Sequence, residues 1–346
     1  MFVNIAVVVV VGLLGWAYKA AVPPRPKICG SPNGPPVTSP RVTLSDGRHL
    51  AYKEMGVSKD KAKYKILVVH GVDSSKDVYL PVSQELVEEL GIYLLMFDRA
   101  GYAESDPNPN RSVKSDALDI EELADKLEIG SKFYLLGMSA GGYPAWGCLN
   151  YIPHRLAGLS LVVPLVNYWW PSLPVDLRRV AFKRMFLRDR CVYSLAHYAP
   201  QLLYWWLTQK WFPSFTPLEG HPSIFSSQDL EILKKMEGAP VPDQKKTRQQ
   251  GVYESLHRDI MVGFGDWGFD PLVMSNPFPN GESSVHIWQG NDDRMIPVLL
   301  QRHVAERLPW ITYTEVPNAG HFFVHDNVYI DAILRELLLG ERPSFA

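Results

Sequence analysis

A serine set among glycines, Gly137-Met138-Ser139-Ala140-Gly141, follows the apolar run Lys132 to Leu136 and precedes a helically spaced stretch reaching about Tyr151. So tight a strand-to-helix turn strains the backbone of its central residue and lifts the hydroxyl above a sheet. The glycines are needed because side chains there would strike the neighbouring strand and helix. A hydroxyl so placed becomes a nucleophile once a base can take its proton, and the base needs a carboxylate to fix its tautomer. Gly290-Asn291-Asp292-Asp293-Arg294-Met295-Ile296-Pro297, just past an apolar run ending at Trp288, offers that carboxylate; Asp293 is preferred and Asp292 is the alternative. Asn318-Ala319-Gly320-His321 offers the base after the last apolar run, where the carboxyl edge of a sheet faces a crevice. His325, four residues on, is the rival and reads as structural. His321 lies 182 residues after Ser139 and 28 after Asp293, giving the order Ser, Asp, His. No Gly-rich phosphate loop or metal-ligand spacing competes, so neither cofactor nor metal is expected.

The elements that must position these residues alternate. Val42 to Leu44 and His49 to Glu54 read as a hairpin around Ser45-Asp46-Gly47. Strand runs follow at Tyr64 to Val69, Ile92 to Phe97, Lys132 to Leu136 and Leu159 to Val166, with helical spacing at Ser83 to Leu90 and Ile120 to Leu127. The rhythm stops after Val166 and resumes at Ser284 to Trp288, Ile311 to Val316 and an amphipathic stretch from about Val328 to Leu339. The pattern predicts an α/β fold: a mostly parallel eight-stranded sheet, helices on both faces, and a helical insertion after the sixth strand. The expected divisions are 41–166 and 282–346 for the sheet domain and 167–281 for the insertion.

With 35 Lys+Arg against 37 Asp+Glu, the 346-residue chain carries a formal charge of −2, so a polybasic nucleic-acid binder is excluded. Three cysteines (Cys29, Cys148, Cys191), none in a C-x-x-C pair, argue against a disulfide framework and fit a reducing compartment. Seven prolines between Pro23 and Pro40 mark 28–40 as an extended tether. Before it, Phe2 to Tyr18 holds seventeen uncharged residues, which span about 25 Å as a helix. No good cleavage site follows, and Lys19, Arg25 and Lys27 lie after the run. These features predict an uncleaved membrane anchor over 1–27, with the remaining chain cytosolic; they do not name the membrane, for which the endoplasmic reticulum is taken as the default. A cleaved signal and a buried N-terminal helix are the alternatives.

The three motifs and their order resemble the α/β-hydrolase superfamily, over about Val42 to Leu339. Val69-His70-Gly71-Val72-Asp73 is similar to the family's His-Gly oxyanion turn. Phe97-Asp98-Arg99-Ala100-Gly101-Tyr102-Ala103-Glu104-Ser105-Asp106 is similar to the D-R-x-G-x-G-x-S-D loop of the capped, epoxide-hydrolase-like branch, with Ala103 at the second glycine. By that resemblance the backbone N–H groups of Val72 and Ala140 hold the oxyanion, the insertion is a cap, and His70 and Asp98 are structural. Ser45-Asp46-Gly47-Arg48-His49-Leu50-Ala51-Tyr52 and Tyr168-Trp169-Trp170-Pro171 also resemble a plant group of membrane-anchored α/β-hydrolases.

Epoxide hydrolases and haloalkane dehalogenases of this branch carry aspartate where this chain has Ser139, so acyl transfer is favoured over alkyl-enzyme chemistry. Six of ten tryptophans lie in the insertion, which predicts an apolar pocket with Trp169, Trp170 and Trp205 on its walls. Those residues could equally form the insertion's own core or, around Trp205, meet a membrane interface. The expected activity is a serine hydrolase acting on a small hydrophobic carboxylic ester or thioester. Its rivals are a hydrolase-fold hormone or ligand receptor with little turnover, and an acyltransferase or lyase using the same three residues.

Overall fold

The structure is a computed structural model that describes residues 7, 11, 12, 15, 18–239 and 241–343. Its eight strands are β1 (Arg41–Thr43), β2 (His49–Gly56), β3 (Tyr64–Val69), β4 (Ile92–Phe97), β5 (Phe133–Met138), β6 (Leu156–Val162), β7 (Val285–Gly290) and β8 (Thr312–Val316). They lie in the order β1-β2-β4-β3-β5-β6-β7-β8. The β1–β2 and β2–β4 pairs are antiparallel and all others parallel. Central strands are largely apolar because both faces are covered: on β3, Leu67 and Val69 enter one core while Ile66 and Val68 enter the other. The first core takes in the helices Val113–Lys126 and Gly142–Tyr151; the second takes in Gln84–Leu90 and Asn327–Leu339. Helix starts follow local chemistry. Ser83 caps Gln84–Leu90, and Ser112 with Ser115 forms a capping box ahead of Val113–Lys126.

One strand ends earlier than its apolar run suggests. β6 stops at Val162, and Val163 takes φ +44°, turning the chain out of the sheet. Leu165 and Val166 then face the cavity over Ser139, so burial there serves a loop wall rather than a strand. Among the described residues between β6 and β7 the elements are helices, including Leu187–Tyr198, Ser227–Lys235 and Arg258–Phe264. The proline-rich stretch 28–40 has neither helix nor strand, yet it is bound to the sheet domain. The backbone N–H groups and hydroxyls of Thr38 and Ser39 all donate to Glu104, at 2.6–3.0 Å.

The membrane expectation is corrected. Among the described residues no helix is long and apolar enough to cross a membrane. The run from Phe2 to Tyr18 is short of the about 30 Å hydrocarbon thickness, and most of it lies outside the described residues. The anchor over 1–27, the cytosolic orientation and the reticulum assignment that rested on it therefore lose their support.

Candidate active site

β5 delivers the chain to Ser139, a one-turn 3-10 helix covers Ser139–Gly141, and the helix Gly142–Tyr151 leaves in the new direction. Ser139 sits at φ +51°, a strained conformation for a residue with a Cβ. The helix can approach only because its neighbours are glycines. A Cβ on Gly137 would lie 2.8 Å from the Ala145 Cβ, and one on Gly141 would lie 2.2 Å from the Val69 carbonyl oxygen. Leu165 N–H donates to the Ser139 carbonyl at 2.9 Å and ties the bend to the loop that follows β6.

His321 Nε2 lies 3.0 Å from Ser139 Oγ, and its Nδ1 donates to Asp293 Oδ2 at 2.8 Å. The carboxylate is itself fixed. Asp293 Oδ1 accepts from the N–H groups of Met295 and Ile296, each at 2.9 Å, and Oδ2 also accepts from Gln289 Nε2 at 2.9 Å. Asp292 points elsewhere and pairs with Arg294 at 3.3 Å. His325 donates from Nδ1 to the Tyr79 carbonyl at 2.7 Å, and burial pushes it down to about 4. It stands outside the serine-linked chain.

Burial of His321 disfavours its charged form, but the Asp293 carboxylate, helped by its hydrogen bond and by Asp229, outweighs this and holds the imidazole above the usual histidine value of 6.5. Only neutral His321 can take the Ser139 proton, so raising its pKa moves the loss of activity to higher pH. The kcat/KM profile is expected to rise with pH through a midpoint above 6.5. A stopped-assay pH series checks this, and a midpoint below 6.5 would contradict the arrangement.

The Gly71–Val72 peptide faces this chain. Gly71 O accepts from His70 Nδ1 at 2.8 Å and Arg99 Nη2 at 3.0 Å, which leaves the Val72 N–H of a trans peptide pointing the opposite way. Burial and the nearby Arg99 charge keep His70 well below its ordinary pKa. Its neutral ring donates from Nδ1 and accepts the Arg99 N–H at Nε2, 3.1 Å away. Val72, Ala140, Ser139 and His321 share a cavity of about 90 Å³, walled by Tyr168, Tyr193, Phe215 and Phe264 among others.

Trp169, Trp170 and Trp205 are not on its walls, which corrects the pocket expectation. Trp169 stacks on His197 with centroids 4.5 Å apart, Trp170 meets Trp267 and Trp146 edge-on, and Trp205 meets Trp206 and Trp211. These large rings are taken up by packing within and beneath the insertion, and tyrosine and phenylalanine face the serine instead.

The sequence profile of the Alpha/beta hydrolase family matches residues 66–332. The chain belongs to that family. A protein of Caulobacter sp. (strain K31) described as a carbamate hydrolase, RutD, is 24% identical over 277 residues, which are 79% of this chain and 89% of the relative. A thermophilic esterase from Thermogutta terrifontis superposes with a TM-score of 0.55 at 19% identity, covering 87% of this chain and 98% of that one. A protein of Mycobacterium tuberculosis H37Rv described as a non-heme bromoperoxidase, BpoC, gives 0.57 at 15%, covering 84% and 96%. Identities this low establish the shared fold alone.

Several side chains around the site of this alpha/beta hydrolase were not singled out from sequence. Gln289 is one, although a buried polar residue ending the run Val285-His286-Ile287-Trp288, one place before the acidic loop, is a signal of sorts. Asp229 and Asp259, both in the insertion, gave no signal of a place at the site: locally Asp229 reads only as the capping partner of Ser226, and the contacts with Phe322 for the first and Arg99 for the second arise through long-range folding.

Proposed function

We propose that the protein hydrolyses a carboxylic ester or thioester with a compact apolar acyl group through an acyl-enzyme on Ser139. The observation that carries this is the unbroken chain Ser139 Oγ–His321–Asp293, opening on an apolar cavity beside the Val72 and Ala140 backbone donors. His321 Nε2 takes the Ser139 proton as Oγ attacks the carbonyl carbon. The oxyanion so formed is held by the two backbone N–H groups, and Ala140 also has the helix N-terminus behind it. His321 then gives the proton to the leaving oxygen or sulfur, and the alcohol or thiol departs. Water attacks the acyl-enzyme, passing its proton to His321, and Ser139 leaves with that proton as the carboxylic acid is released.

In this reading the insertion 167–281 is the cap and selects substrate. The about 90 Å³ beside the serine suits a short acyl chain. A second cavity of about 340 Å³, sharing Tyr193, Pro217 and Met295 with the first, has room for the alcohol portion. A carbamate is the second reading, favoured by the Caulobacter relative; its carbonyl would be attacked in the same way.

The test is a fluorophosphonate probe followed by peptide mass analysis, run beside p-nitrophenyl esters and a matching carbamate. Expected are an adduct on Ser139 and turnover that falls off beyond about four acyl carbons. An unlabelled Ser139, or labelling with no hydrolysis of any carbonyl substrate, overturns the proposal.

A further inference from the structure

We propose that two buried carboxylates of the insertion, Asp229 and Asp259, are positioning residues for the two halves of the reaction machinery, so that the site is complete only while the insertion is seated. The inference rests on the acyl-enzyme reading above and goes beyond it: a cap that merely covered substrate would need no such contacts.

Asp229 holds the base. It lies fully buried on the helix Ser227–Lys235. Its Oδ1 accepts the Phe322 N–H at 2.7 Å, while the neighbouring Gln228 Oε1 accepts the Gly320 N–H at 3.0 Å. The backbone is thus gripped on both sides of His321 by side chains of the insertion. The approach is close enough that a Cβ on Gly320 would sit 2.1 Å from Asp229 Oδ2, which explains the glycine before the histidine. Ser226 fixes the carboxylate in turn, donating its N–H to Oδ2 at 2.9 Å in the helix's capping box. The Asp229 charge also favours the imidazolium that forms as Ser139 is deprotonated.

Asp259 holds the oxyanion side. From the helix Arg258–Phe264 it accepts both terminal nitrogens of Arg99, and also the hydroxyls of Tyr102 at 2.8 Å and Tyr143 at 2.6 Å. Although buried, it is held down to about 2 by the Arg99 and Arg111 charges and stays ionised. Arg99 reaches from Asp259 to Gly71 O, the carbonyl of the peptide whose N–H belongs to Val72, a residue of the cavity wall. A bidentate guanidinium pair of this kind fixes direction as well as charge. Small misplacements of a base or an oxyanion donor are costly, so both carboxylates act on rate through the groups they hold.

The test uses the full chain with Asp229→Asn, Gln228→Leu, Asp259→Asn and Arg99→Lys, the last retaining a buried cation while withdrawing the fork to Gly71 O. Fluorophosphonate titration counts competent sites, and kcat per site is measured across pH together with inhibition by a trifluoromethyl ketone. For Asp229→Asn, kcat per site is expected to fall about 10- to 100-fold with KM within about 3-fold, and the acid limb to move to lower pH. Gln228→Leu loses kcat without moving the limb. Asp259→Asn and Arg99→Lys are expected to lose kcat and ketone affinity by the same factor, about 10- to 100-fold. The proposal is overturned if losses follow only the labelled fraction, with per-site kcat, acid limb and ketone affinity as in the wild type. Failure of the wild type to label or turn over would instead strike the acyl-enzyme reading.

Discussion

Ser139→Ala will lower kcat on a short-chain ester by roughly 10⁶-fold while leaving KM within a few-fold. Alanine carries the same Cβ at φ +51°, and Gly137 and Gly141 still admit the helix, so the bend and the fold are unchanged. Only the oxygen bonded to His321 Nε2 is removed. His321→Ala will cost about as much, because a serine with no acceptor for its proton is not a nucleophile at neutral pH. The double variant will be no slower than either single one, since the two side chains act as a unit. What survives is the slow reaction of water on a substrate still held beside the Val72 and Ala140 N–H groups. Single-turnover kinetics on the three variants, with thermal melts to confirm folding, measure this. Losses that multiply in the double variant, or a single loss below about 100-fold, would mean that the hydroxyl and the imidazole do not serve one step.

What the sequence disclosed about this site follows the range of the interactions involved. β4 is legible because its six residues are all apolar and buried on both faces, and β3 because Ile66 to Val69 is buried on both faces in the same way. The serine turn is legible because its glycines answer a steric demand of their nearest neighbours. Asp293 and His321 stand out by their places just beyond strand ends, and both sit at the carboxyl edge where Ser139 emerges. Ala103 shows the limit of a local rule: it replaces a family glycine yet keeps φ +41°, with its N–H bound to the Thr247 carbonyl at 2.8 Å. The aromatic insertion was legible as apolar but not as to which rings face the serine. Tryptophan and tyrosine satisfy the same burial, and the choice depends on packing between helices far apart in sequence. Arg99 meets a carboxylate 160 residues away and Phe322 N–H one 93 residues back, and no spacing encodes such pairs.

If Asp229 and Asp259 position the site as proposed, seating of the insertion belongs to the chemistry as much as to substrate choice. In the proposed reaction the core supplies Ser139, His321 and the Val72 and Ala140 N–H groups. The insertion supplies the apolar walls at Tyr193, Phe215 and Phe264 and the carboxylates behind His321 and Arg99. A motion that opened the cavity by lifting the helix Ser227–Lys235 would also release the backbone flanking His321, whereas movement confined to the segment around Phe215 would not.

Asp293→Asn will lower kcat by about 10⁴-fold, and Asp292→Asn will leave it within about 2-fold. Four donors converge on the Asp293 carboxylate: the Met295 and Ile296 N–H groups on Oδ1, and Gln289 Nε2 and His321 Nδ1 on Oδ2. An amide must turn its NH₂ toward one of these pairs. Facing the backbone, it sets donors against donors and pushes the loop away from His321. Facing the histidine, it can be satisfied only if Nδ1 gives up its proton, which then sits on Nε2 and points at Ser139 Oγ, where a lone pair is required. Either way the base is lost although no atom is missing from the site. The Asp292 carboxylate pairs with the half-exposed Arg294 side chain, a pair of little energetic consequence. Measured with one ester, the two variants separate the acids that sequence alone left open. A larger loss in Asp292→Asn would transfer the role to Asp292 and require a loop conformation different from the one described.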